Sequence, residues 1–93
     1  MSNEEISLKL TKHAEIKIKE RNIDLDHIRK VISRPEFTKP DKFDKSLTHF
    51  IGNIEGKFLR VICRRESKRD LLVISAFFDR RLTRRKRHGK NQL

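Results

Sequence analysis

Residues 11–23 read TKHAEIKIKERNI, and two periods compete in them. Ala14, Ile16 and Ile18 alternate with Glu15, Lys17 and Lys19, the period of a strand. His13, Lys17 and Arg21 stand four apart, which stacks them along one side of a helix. Thr11 is a fair N-cap, and the interior of Ala, Glu, Lys, Ile and Arg consists mostly of good helix formers. Glu15 and Lys19 form an i, i+4 pair in the favourable orientation. The helical apolar stripe is nevertheless thin, mainly Ala14 and Ile18 with Ile16 to one side. Periodicity alone leaves both readings open.

Outward from this stretch the signals are firmer. Residues 6–10, ISLKL, alternate as a short strand does, and residues 1–5 are expected to fray. Asp24 caps a helix over 25–33, in which Leu25, Ile28, Val31 and Ile32 make one apolar face. Pro35 ends it, because a proline pushes its predecessor out of the helical region. After Pro40 the pattern turns to strands. SLTHFIGNI (46–54) and KFLRVICRR (57–65) flank Glu55-Gly56, which reads as a hairpin turn. LLVISAFF (71–78) is apolar on both faces, as in a central, covered strand. Helices grouped before strands indicate an α+β domain with its helices on one face of an antiparallel sheet. The expectation is one domain over residues 1–79, two N-terminal helices on a three- or four-stranded antiparallel sheet, and a basic flexible tail over 80–93.

Ninety-three residues, 34% hydrophobic and 40% charged, make a modest core. The net charge of +11 favours a polyanion or an acidic protein as partner. Residues 79–93 carry seven Lys/Arg against one Asp, so more than half the excess lies in the last fifteen residues. The single Cys63 excludes an internal disulfide. No apolar run is long enough for a membrane span, and residues 1–30 lack the apolar core of a signal peptide, so a cytoplasmic protein is expected. His13, His27, His49 and Cys63 lack zinc-site spacing, and no Gly-rich phosphate loop is present. No metal or other cofactor is expected.

Several segments taken together, Thr11-Lys12-His13-Ala14, Lys17, Glu20-Arg21-Asn22-Ile23, the capped helix ending at Arg34-Pro35-Glu36, and the strands GKFLRVI and LVISAFF, resemble a family of small bacterial and archaeal domains. That family is grouped with RelE-like and BrnT-like toxins and colicin D/E5-type ribonucleases. The resemblance covers about residues 8–79. It implies a helix over 12–21, a RelE-like α+β fold, metal-independent RNA cleavage by 2′-hydroxyl attack, and neutralisation by an acidic antitoxin. Two positions depart from the pattern. Lys17 stands where the family has Arg, which keeps the charge but loses the planar fork. Asn22 stands where Gly is usual, and Asn tolerates the left-handed conformation of a helix end.

On a helix, His13, Lys17 and Arg21 fall within about a quarter of the circumference. His13 is the candidate base or acid, imidazole being the side chain suited to proton transfer near neutral pH, while Lys17 and Arg21 are candidates to hold phosphate. Arg60 joins them as a basic group on an otherwise apolar strand face. Arg80, Arg81, Arg84, Arg85, Lys86 and Arg87 are the candidate RNA contacts, binding by counterion release. His49 reads as a half-buried strand histidine. There is no Tyr or Trp, and the six Phe read mostly as core, so base stacking is not expected. The leading expectation is a toxin-type ribonuclease acting on RNA or the ribosome. Its rivals are a non-catalytic RNA- or ribosome-binding module of the same fold and a DNA-binding regulator. The sequence leaves the oligomeric state unknown.

Overall fold

The computed structural model describes residues 6–91, with side chains as far as Arg85. The elements run β1 (Ser7–Leu10), α1 (Lys12–Glu20), α2 (Leu25–Ser33), β2 (Phe37–Pro40), β3 (Leu47–Ile54), β4 (Lys57–Arg65), β5 (Asp70–Phe78) and α3 (Arg80–Asn91). The fold is α+β, as expected, but the sheet is five-stranded and mixed, in the order β1-β5-β4-β3-β2. The anticipated three- or four-stranded antiparallel sheet therefore needs two corrections. β1 joins the sheet by pairing parallel to β5, Ser7 opposite Asp70. β2, not foreseen, pairs antiparallel to β3 at the other edge. The expected fraying of residues 1–5 lies outside the described residues.

The ambiguous stretch is a helix. Thr11 Oγ1 accepts from the Ala14 N–H at 3.0 Å, and the Thr11 N–H donates to the Val73 carbonyl at 3.1 Å, so one residue ends the β1 pairing and starts α1. Asn22 closes the helix at φ 55°, and the Ile23 N–H reaches back to the Ile18 carbonyl at 3.0 Å. Asp24 caps α2 by accepting from the Asp26 N–H at 2.9 Å.

α1 lies against β5, and α2 against β3 and β4. Ala14, Ile18, Ile28, Val31 and Ile32 meet Leu59, Val61, Cys63 and Val73 to form the main core. Gly52 makes room for α2, since a Cβ there would stand 3.1 Å from a Val31 methyl. Burial pushes the Cys63 thiol up to about 12, so it packs as a neutral apolar group. Glu55 and Gly56, at φ 54° and 89°, make the two-residue turn between β3 and β4. In β5 a register shift opposite Ile62 and Cys63 leaves Ile74 unpaired. Val73 and Ala76, three residues apart, can then both enter the main core.

Because β4 alternates, Phe58, Arg60 and Ile62 point away from α1 and α2. Phe58 and Ile51 are buried yet stand apart from the main core cluster. α3 packs against β4. Its first turn continues the strand ladder: the Asp79 N–H donates to the Phe58 carbonyl at 2.8 Å, and the Phe58 N–H donates to Thr83 Oγ1 at 2.9 Å. The expected flexible tail is thus helical through Asn91. Its charge does not prevent this, because among the described side chains Leu82 and Thr83 meet the sheet while Arg80, Arg81, Arg84 and Arg85 turn outward.

Candidate nucleic-acid interface and the half-buried charge relay

On an ideal helix Arg80, Arg81, Arg84 and Arg85 lie within about 140° of circumference, with Leu82 and Thr83 on the opposite side. Leu82 and Thr83 are half-buried, and the four arginines are exposed. None of the four has an ion-pair partner among the described residues. Four cations on one side of a helix repel one another, and this is a surface that an anionic ligand would relieve. The side chains of Lys86 and Arg87, also expected to contact RNA, lie outside the described residues.

The helix is held in place by a second group of charges. Asp79 caps it, with Oδ1 accepting from the Leu82 N–H at 2.9 Å. Its Oδ2 accepts from Arg60 Nε at 3.0 Å and from Arg60 NH2 at 2.8 Å. Arg60 NH1 lies 2.8 Å from His49 Nδ1, and His49 Nε2 lies 2.7 Å from Asp41 Oδ1. The guanidinium has no acceptor, so Nδ1 must accept from it. The ring proton then sits on Nε2 and is donated to Asp41. The four side chains form one relay from the loop after β2, through β3 and β4, to the start of α3. All are at least four-fifths shielded from solvent.

Both carboxylates are held in their charged form. For Asp41 the backbone N–H of Asp44 is the main cause, with His49 and the Phe43 N–H adding to it, and its pKa falls to about 2. Burial pushes Asp79 up, but the Leu82 N–H and the Arg60 guanidinium together outweigh it and leave it below the usual carboxylate range.

Of the four expected catalytic residues, the structure places two on α1 and one at its C-cap, and sets the fourth apart. His13 is exposed. Lys17 is paired with Glu20 at 3.3 Å. Arg21 NH1 donates to the Ala76 carbonyl at 2.9 Å, capping β5 beyond the reach of β1. Arg60 projects from the other face of the sheet and joins His49 instead. The sequence reading did not find Asp41, which lies in a loop eight residues from its partner. Its only local signal is the DKFD run, where an Asp can fold onto its own loop. Among the described residues no three His, Cys, Asp or Glu side chains are grouped to hold a metal ion. No described helix is long and apolar enough to cross a membrane.

A family described as "Domain of unknown function (DUF4258)" matches residues 10–78. The chain belongs to that family. The DUF4258 match contains Asp41, His49 and Arg60 and stops one residue short of Asp79 and the arginines of α3. Compared with the curated proteins and with the solved structures, the chain finds no match.

Proposed function

We propose that this DUF4258 protein binds RNA through the outward face of α3, as a relative of the RelE- and BrnT-like toxins. The observation that carries the reading is the row of Arg80, Arg81, Arg84 and Arg85, four exposed cations without acidic partners among the described residues. Each phosphate they neutralise releases counterions, so binding is steep in salt. An acidic antitoxin is the protein partner that such a face would accept, on the same electrostatic grounds.

A second reading, metal-independent RNA cleavage, is favoured by the Asp41–His49–Arg60–Asp79 relay. Cleavage needs a base for the 2′-hydroxyl, an acid for the leaving 5′-oxygen and cations on the phosphorane. In the free protein His49 Nδ1 is covered by Arg60. A phosphate that draws Arg60 NH1 onto itself would uncover Nδ1 as the base, with Asp41 holding the opposite nitrogen. The α1 row is the rival site, in which His13 acts alone because Lys17 and Arg21 are already engaged.

The test is to incubate the full chain with total RNA in excess chelator, beside His49→Ala and His13→Ala, and to map the ends while measuring binding. Cuts with cyclic-phosphate ends that vanish with His49→Ala support cleavage at the relay. Cuts that vanish only with His13→Ala move the site to α1. Binding without cuts leaves the RNA-binding reading alone, and no binding at low salt removes both.

A further inference from the structure

The loop between β2 and β3 holds one large apolar side chain that the fold does not use. Phe43 is 92% exposed, by far the most exposed large apolar residue described. The backbone around it is closely hydrogen-bonded. Asp41 Oδ2 accepts from the Phe43 N–H at 3.0 Å and from the Asp44 N–H at 2.9 Å. Asp44 Oδ1 accepts from the Ser46 N–H at 3.0 Å and from Ser46 Oγ at 2.6 Å. The loop closes where the Asp41 N–H donates to the Leu47 carbonyl and the Leu47 N–H to the Asp44 carbonyl, each at 3.0 Å. The second oxygen of Asp41 holds His49, so the loop is tied to the same relay that caps α3. A loop satisfied in this way presents its aromatic ring with little ordering left to lose on binding.

The chemistry around the ring selects the ligand. Lys42 and Lys45 flank it, exposed and without ion-pair partners among the described residues. The carboxylates of Asp41 and Asp44 are turned onto the loop's own N–H groups. The core of a protein–protein interface is depleted in Lys and Asp, so one ring between two lysines and two aspartates fits such a core poorly. A ring beside cations on a strongly basic protein fits the face of an unpaired base, with phosphates on either side. We propose that Phe43 is a stacking platform for an unpaired base of single-stranded nucleic acid, and that Lys42 and Lys45 hold the adjoining phosphates. This rests on the RNA-binding reading and names the strandedness of its ligand.

The experiment measures fluorescence anisotropy of labelled single-stranded oligoadenylate and of an RNA duplex of equal length. The proteins are the full chain, Phe43→Ala, Phe43→Leu, and a variant with Arg84 and Arg85 both changed to Ala. Phe43→Ala is expected to weaken single-strand binding about tenfold and to leave duplex binding unchanged. Phe43→Leu keeps the apolar bulk without the π face and is expected to lose most of the same affinity. The urea midpoint stays put, because the ring is almost wholly exposed. Unchanged single-strand affinity in Phe43→Ala, with binding still weakened by the arginine variant, overturns the platform and leaves the RNA-binding reading standing. A dimer that Phe43→Ala converts to monomer, with unaltered RNA affinity, overturns it in favour of a protein contact. Failure of the unaltered chain to bind either probe removes the RNA-binding reading and the platform with it.

Discussion

Replacing Arg60 with alanine would strip Asp79 of its guanidinium and His49 Nδ1 of its donor in one step. The expected cost is about 2 kcal/mol, the range for losing charge-assisted hydrogen bonds in a shielded site. Urea denaturation followed by circular dichroism would measure it. Arg60→Lys should recover only part, because an ammonium cannot span Asp79 and His49 as the planar fork does. Acid should act through the two carboxylates of the relay. Their folded pKa values lie below the ordinary 3.8, that of Asp41 at about 2. Their contribution is therefore complete above about pH 4 and is lost as the pH falls toward about 2. The urea midpoint should drop over that interval, and Asp41→Asn should flatten the drop. At this scale the sequence told little. His49 and Arg60 were both visible as polar groups in strands, but what makes them a pair is a register that sets β3 beside β4. Their outer partners lie in a loop and at a strand end, where spacing carries no information.

The elements divide by how much local signal each contains. α2 has a cap, an apolar face and a terminating proline within a dozen residues, and it spans 25–33 as expected. The hairpin of β3 and β4 was legible from its Glu-Gly turn and alternating flanks. β2 was not, because FTKP is exposed along its whole length and ends in a proline, which suits an edge strand but leaves no pattern. α3 was hidden by its composition, since arginine is a good helix former but Leu82 and Thr83, which among the described side chains of α3 face the sheet, are too few to register as a stripe. Thr83→Val should test how α3 is joined to β4. It deprives the Phe58 N–H of its acceptor, and the expected loss is about 1–2 kcal/mol in the same urea experiment. Gly52→Ala tests the seat of α2 on β3. Overpacking against Val31 should cost about 1–2 kcal/mol, and less in a Val31→Ala background, where the methyl that is struck is gone.

At the scale of the whole molecule the charge of +11 is the dominant property, and α3 gives part of it a direction. Binding to single-stranded RNA should show a steep negative salt slope. Changing Arg84 and Arg85 to Ala should reduce that slope by about 1.4, or about 0.7 for each phosphate no longer neutralised. Anisotropy titrations at several salt concentrations would read it directly. The pairing of β1 with β5 acts at this scale too, in the dimension of time. The first described strand finds its partner only after three other strands and both early helices, and α1 also packs on that late strand. During synthesis β1 therefore leaves the ribosome long before Asp70 exists. Such distant pairing costs loop-closure entropy and slows folding. The growing chain completes neither its sheet nor its main core until β5 has been made, and the arginines of α3 follow it. Until then β1 and α1 are without the strand on which both of them pack, and the basic helix takes its place only after that strand.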